Sequence, residues 1–468
     1  MSTKPLPPVI NFSSSAFTSA DYRSTGDGNV TLTTGAGNSY IYEKDGNDTI
    51  TTGAGNSTII IEGVGGGSTI TTGAGNSTIK TGAGDSTITT GAGDSIINTG
   101  NGDSTIITGA GVSTIYTGDG NETITTGVGN STITTGAGVS TIITGAGDEI
   151  ITTGKGASTI TTGVGNSTIT TGAGDSTITT GVGDSTITTG AGNETITTGA
   201  GNETITTGMG SSNITTGAGD STITTGAGGS TIVTGAGNEI ISTGAGNNTI
   251  TTGAGNSVVD VGIGNGTVTL GAGDNLVSYH VTGNIGSNST FIAGAGHNKL
   301  NLVMTSADFT SDAVKNDLSA YQDFLTANGL GSAAAFTFKA FGLTVSMFDI
   351  LLTNLAPVAK DDAFYNLGSA VSSFDVLHND TGWTLSDSVS VPLHVTVASF
   401  SHLSKLGATI SLNTDGTVKY DPSNAANFHA DSSGSKVQDT FTYVAKDIYG
   451  VHSNEATVTV SLIGVITN

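Results

Sequence analysis

From Gly26 onward the triplet Gly-x-Gly returns every nine residues, with insertions near Glu62 and Gly66, and the spacing is unbroken from Gly73 to Gly271. Identical short units cannot gather the unlike residues of an ordinary globular core, so each unit must stack on the next. The consensus is T-G-A-G-[N/D]-S-T-I-T over 28 units, one of which, "KDGNDTI", lacks its first glycine. G-A-G-[N/D] reads as a turn, because Gly tolerates positive φ and Asn or Asp bonds to its own backbone. S-T-I-T reads as a strand whose alternation turns Ile to one side and the flanking Thr to the other. This predicts a thin solenoid with one inward residue per nine, the Ile columns buried and the backbones paired between copies.

Composition agrees with a repeat architecture. Of 468 residues 73 are Gly, aromatics are 5% and charged residues 11%, which suits neither an average globular domain nor a charge-rich disordered chain. Lys and Arg number 13 against 37 Asp and Glu, a net charge of −24, so the surface repels phosphate backbones and anionic lipid while suiting hard cations. Nucleic acid is not an expected partner. Zero Cys excludes disulfides and thiolate chemistry. The stretch "MSTKPLPPVINFSSSAFTSAD" has no apolar run of the kind a cleaved secretory signal carries, and no segment reaches the length of a membrane-spanning helix. We therefore expect either a cytoplasmic protein or export by a route that does not read the N-terminus.

The unit resembles the calcium-binding nonapeptide G-G-x-G-x-D-x-U-x of the RTX proteins. The resemblance covers the second Gly, the fourth Gly and the aliphatic eighth position over more than half the chain. It implies a parallel β-roll with two units per coil, about 14 coils in all, and calcium as the cofactor. Two positions depart from the family: its first Gly is Thr here, and its sixth-position Asp is mostly Ser. Acids remain there only at Asp48, Glu122, Glu149, Glu194, Glu203 and Glu239. With two units per coil, vertical neighbours are eighteen residues apart, and no two of these six are so spaced. The fifth position is Asn in 14 units and Asp in 8, and only Asp85 and Asp103 form an acid pair at that spacing. Stacked carboxylates repel unless a cation separates them, whereas Asn amides can hydrogen-bond up a column. Most of the roll is thus expected to be an amide ladder that needs no calcium, with a calcium-filled roll as the alternative.

Beyond Gly271 the repeat decays. "TSDAVKNDLSAYQDFLTAN" carries Val314, Leu318, Tyr321 and Leu325 at helical spacing, and Asn328-Gly329 should stop it. Strands follow in "AFTFKAFGLTVSMFDILLTN", a unit suited to capping the roll. "TISLNTDGTVKYDP", "DTFTYVAKDIYG" and "EATVTVSLIG" alternate as strands, with Asp415-Gly416 as a hairpin turn, and predict about seven strands in a β-sandwich. A-P-V-A-x-D-D, D-V-L-x-N-D and D-x-F-T-Y resemble the bacterial cadherin-like domains of secreted adhesins. That resemblance implies calcium ligands at Asp361, Asp362, Asn379, Asp380, Asp439 and Asp447, although "NDTGWTL" lacks the further acids usual there. The fold expected is mainly β: an arm over 1–24, a nonapeptide β-solenoid over 25–299, a helix-and-strand cap over 300–355 and an Ig- or cadherin-like sandwich over 356–468.

No H-E-x-x-H, G-x-S-x-G or Walker pattern occurs, and the repeat turns lead into strands instead of helix N-termini, so no enzyme is expected. The seven His lie outside the regular repeats and read as isolated surface residues. The expected function is that of a secreted, non-enzymatic surface or matrix protein, with the roll as spacer and the sandwich as attachment module. Its partners are then cell-surface or matrix components, with self-association possible. RTX proteins leave the cell by type I secretion with an uncleaved C-terminal signal, and "ATVTVSLIGVITN" permits that route. The alternative is ice binding, because outward T-x-T columns resemble the arrays of ice-binding solenoids, although Ile107, Tyr116 and Ile143 interrupt them.

Overall fold

The structure, a computed structural model, describes residues 9–12, 19–24, 26, 28–63, 65–367, 370–386, 389–392, 395–424, 437–446 and 452–463. The chain forms two compact units, residues 1–276 with 289–296, and residues 277–288 with 297–468.

The first unit is the β-solenoid. Four-residue strands pair in parallel with the strand eighteen residues on: Ser176 faces Glu194 and Ile178 faces Ile196 in one sheet, while Ser185 faces Glu203 and Ile187 faces Ile205 in the other. Two units therefore make one coil. Turn backbones join the same ladder, since the Gly174 N–H donates to the Ala191 carbonyl at 2.9 Å and the Thr171 N–H to the Thr188 carbonyl at 2.9 Å. The inward Ile of each rung is buried, as Ile178 is at 0% exposed, and each contributes about 1.5–3 kcal/mol by leaving water.

Two details differ from the expectation. Three residues of each nine point inward, not one: along with Ile178, both Thr171 and Ser176 are buried. A solenoid of two short sheets has turns as well as strands to fill, and small hydroxyl side chains fit where the backbone bends. The segment before the first repeat also extends the sheets, as Val9–Phe12 pairs with Thr31–Thr34 and Ser19–Arg23 pairs with Asn38–Glu43.

In the second unit Lys299–Met304 runs parallel to Ile350–Val358. Between them lie two helices, Ser306–Thr310 and Asp312–Asn328, where one was expected. The break comes at Ser311, whose extended backbone caps the longer helix. Gly329, at φ 84°, ends it as foreseen, its N–H returning to the Leu325 carbonyl. Val314 and Tyr321 are the buried members of the apolar stripe, and Tyr321 packs at 5.0 Å on both Phe336 and Phe338 of a hairpin. Strand Ile350–Val358 also takes on Thr381–Ser386 and its hairpin mate Val389–Pro392.

Among the described residues the sandwich has seven strands. Asp362–Leu367, His452–Ile463, Val437–Lys446 and Thr396–Phe400 form one sheet; Ser372–Phe374, Val418–Asp421 and Thr409–Leu412 form the other. The turn at Asp415-Gly416 joins Thr409–Leu412 to Val418–Asp421, with Gly416 at φ 87°. Phe374, Val376, Ile410, Tyr420, Phe441 and Val458 lie in the shared core.

Candidate functional site

The repeat turns are the most numerous candidate, and glycine explains their shape. Gly174 has φ +138°, and a Cβ there would stand 2.3 Å from the Gly156 carbonyl oxygen of the coil below. Positive φ and coil-to-coil approach both demand glycine. Beside it, the fifth-position side chain accepts from the next coil's backbone. The Asp184 N–H donates to Asn166 Oδ1 at 3.0 Å, the Asn202 N–H to Asp184 Oδ1 at 2.8 Å and the Asp220 N–H to Asn202 Oδ1 at 3.0 Å. On this edge the ladder is continuous from Asn130 to Asp274. It is a ladder of backbone donors to Oδ1 acceptors, not of amide to amide, and Asp serves as well as Asn. Even Asp103 donates its N–H to Asp85 Oδ1 at 3.0 Å.

Inside the turn lies a second contact, which the sequence reading missed. The first-position Thr and the sixth-position Ser of one unit, both buried, are hydrogen-bonded through their hydroxyls: Thr72 to Ser77 at 2.7 Å, Thr126 to Ser131 at 2.9 Å and Thr171 to Ser176 at 3.0 Å. This clasp ties the start of each turn to its end with the chain's own atoms. The signal was present as a Thr and a Ser five residues apart in unit after unit. At Asn248 the solution differs: its Nδ2 donates to the Gly244 and Gly246 carbonyls at 3.1 and 3.2 Å, and Asn275 does the same to Gly271 and Gly273.

Where Glu takes the sixth position, neither solution operates. Glu122, Glu149, Glu194, Glu203 and Glu239 are each at most 2% exposed. The Thr five residues before each of them, Thr117, Thr144, Thr189, Thr198 and Thr234, has a buried hydroxyl with no hydrogen-bond partner. The carboxylates of Glu122, Glu149, Glu194 and Glu239 are likewise unpartnered on both oxygens, and Glu203 on one. Burial pushes the carboxyls of Glu122, Glu149 and Glu203 up to about 7, with neighbouring hydroxyls partly opposing it, and raises Glu194 and Glu239 for the same reason. Vertical neighbours are serines: Ser104 and Ser140 flank Glu122, and Ser176 and Ser212 flank Glu194. An ion held between two stacked carboxylates does not fit these columns.

The degenerate third unit is different again. Glu43 stands at the Thr position and Asp48 at the Ser position of one turn, both buried. Burial, then the Asp48 charge, push Glu43 up to about 7.

At the sandwich, four of the six residues expected to bind calcium come together. Asn379 Nδ2 donates to the Asp361 carbonyl at 3.1 Å, the Lys360 N–H to Asp380 Oδ1 at 2.8 Å and the Thr457 N–H to Asp361 Oδ1 at 2.7 Å. Tyr443 Oη sits 2.9 Å from both Asp380 oxygens and 2.7 Å from the Val376 carbonyl. Asp362 is buried beside them with both oxygens unpartnered, as is Asn379 Oδ1, and burial pushes its carboxyl up to about 6. His378 Nδ1 lies 3.4 Å from Asp362 Oδ1. One hydroxyl proton thus faces a surplus of acceptor oxygens, a donor set that suits a hard cation. Among the described residues, however, no three His, Cys, Asp or Glu side chains converge as metal ligands.

Asp439 is not brought to this cluster. It is buried and accepts from Tyr420 Oη at 2.7 Å, from the Leu406 N–H at 2.8 Å and from Ser404 at 2.5 Å. Asp447 lies outside the described residues.

The two outer faces of the roll are unequal. On the sheet that includes Ser176–Thr179, the seventh-position residue from Thr31 to Thr267 is Thr on every rung except Asn213, and the ninth is Thr except at Ile107, Ile143 and Val233. The other sheet carries Tyr40, Tyr42, Lys80, Asn98, Tyr116 and Asp260 among its outward residues. Tyr116 therefore does not interrupt the same face as Ile107 and Ile143.

No curated protein matches the chain. Residues 354–461, which hold the sandwich strands, match the bacterial Ig domain. The RTX calcium-binding nonapeptide repeat matches residues 42–60 and, in successive overlapping copies, residues 62–277. With the eighteen-residue coil, the glycine turns and the Ile column matching that pattern over half its length, the chain belongs to the RTX calcium-binding nonapeptide-repeat family.

Proposed function

We propose that the protein is a secreted, non-enzymatic surface or matrix protein in which the roll is a stiff spacer and the Ig-like unit attaches it. The observation that supports this is the uniformity of the roll: rung after rung keeps the same eighteen-residue register and the same outward residues. Such a surface offers repeated contacts from like groups on successive rungs. The acidic cluster at Asp361, Asp362, Asn379 and Asp380 is the calcium site in this reading, stiffening the Ig-like unit as an attachment module. RTX repeats are typical of exported proteins, and among the described residues no helix is long and apolar enough to cross a membrane. This family membership supports export by the type I route. Removing residues 356–455 while keeping the last thirteen residues should abolish attachment to cells or matrix while the remaining chain is still exported. Undiminished attachment would refute the assignment.

The inequality of the two faces favours a second reading, ice binding through the Thr-rich sheet alone. Replacing Thr159, Thr177 and Thr195 by Lys on that sheet should abolish inhibition of ice recrystallisation, whereas Thr168, Thr186 and Thr204 on the opposite sheet should tolerate Lys. No inhibition by the unmodified protein would end this reading.

A further inference from the structure

The sixth position of each turn is a place that asks for a hydrogen-bond donor. In the Ser units the Thr–Ser hydroxyl pair closes the turn, and at Asn248 and Asn275 an amide NH2 reaches the carbonyls of the second and fourth glycines. A Glu carboxylate in the same place presents only acceptors. Glu194 Oε1 lies 3.0 Å from where a Cβ on Gly192, its own fourth-position glycine, would stand, so it packs against that part of the turn. Five units carry Glu, and the same five leave the partner Thr hydroxyl buried without a bond. An acceptor-only carboxylate that is cut off from water and makes no hydrogen bond with the hydroxyls beside it is unfavourable until something positive enters.

We propose that in these five turns the missing donor is a proton: a neutral Glu carboxyl closes the turn as the Asn amide does, so that the roll tightens in acid and loosens in alkali. The charged groups facing the five carboxyls are acids. They are Asp103 for Glu122, Asp148 for Glu149, Asp175 for Glu194, Asp184 and Glu239 for Glu203, and Asp220 for Glu239. None offers a counter-charge, and each favours the neutral form. Serines and threonines complete the surroundings: Ser104 and Thr117 at Glu122, Ser131 and Thr144 at Glu149, Ser176 and Thr189 at Glu194. The raised proton affinities stated above agree with this geometry. The spacing of the five adds a reason, since between Glu203 and Glu239 in one column stands Ser221, and no deprotonated pair has to share an ion.

The test uses the full chain in excess chelator. Thermal unfolding followed by β circular dichroism from pH 4 to pH 9 should show the roll transition falling as pH rises through neutrality. Infrared difference spectra should show protonated-carboxyl intensity lost over the same range. Changing Glu122, Glu149, Glu194, Glu203 and Glu239 together to Gln should flatten the pH dependence and remove that intensity. The same five changed to Ser, which restores the Thr–Ser clasp, give a second variant should the Gln chain not fold. A roll transition indifferent to pH, or carboxyl intensity lost at the pH of ordinary Glu, would overturn the proposal. So would calcium at pH 8 restoring the acid melting temperature of the unmodified chain but not of the Gln variant, because the occupant would then be a cation.

Discussion

The Thr117 hydroxyl and the Glu122 carboxylate stand at the two ends of one turn, both shut away from water and neither hydrogen-bonded. In the next unit the same two places hold Thr126 and Ser131, bonded at 2.9 Å. The chain thus contains its own control experiment: one fold, one position, two chemistries.

The clasp has a measurable worth. Thr126→Val should leave Ser131 as a buried unpaired hydroxyl and destabilise the roll by about 1–3 kcal/mol. Glu122→Ser should gain a bond at Thr117 and stabilise it by a similar amount at pH 8. Thermal and denaturant unfolding of the full chain would check both directions.

The pH dependence has a definite sign. A Glu near 4.5 when unfolded and about 7 when folded, as for Glu122 and Glu149, binds more protons in the folded state. Its stabilisation is full below pH 4.5, falls through the interval, and is lost above 7. Within that window each such turn contributes a loss of up to about 1.4 kcal/mol per pH unit. Measured stability rising with pH between 5 and 7 would contradict this.

Calcium should act unevenly. Because the Glu columns lack stacked carboxylates, the solenoid's β circular dichroism is expected to persist in excess chelator. A calcium-dependent rise in melting temperature, set by RT ln(1 + [L]/Kd), is expected from the Ig-like unit. Changing Asp361, Asp362 and Asp380 to Asn should remove it. Collapse of the roll on chelation would show that main-chain carbonyls, not side chains, hold ions there.

Removing residues 1–23 takes away Val9–Phe12 and Ser19–Arg23, the strands paired with Thr31–Thr34 and Asn38–Glu43. The open edges of both sheets then pass to the repeat strands themselves, and such edges pair with other chains. Light scattering should report more self-association of the truncated protein than of the full chain.

A single glycine should be as critical as a core residue. Gly174→Ala would set a methyl group 2.3 Å from the Gly156 carbonyl oxygen at φ +138°, and neither the backbone of the neighbouring coil nor the turn can yield without breaking the ladder. We expect a loss comparable with Ile178→Ala, about 2–5 kcal/mol, measured by denaturant unfolding.

Much of this molecule is written in short range. A nine-residue period with Gly at fixed places and Ile at the eighth position admits little but a stacked roll, because such a strand cannot bury its face alone. From that period came the eighteen-residue neighbour, and hence the Ser partners of every Glu in the array. Similarly, alternation and turn residues made the seven-stranded sandwich legible. What the period could not tell was direction within the turn. Whether Thr171 and Ser176 face water or each other depends on how tightly two coils bend around the Ile column, and that is a property of the stack. Nor could linear order bring Asp362 and Asp380 to the Tyr443 hydroxyl while setting Asp439 against Tyr420. Residues distant along the chain meet only when two sheets pack, and packing decided which acids share a site and which are already satisfied.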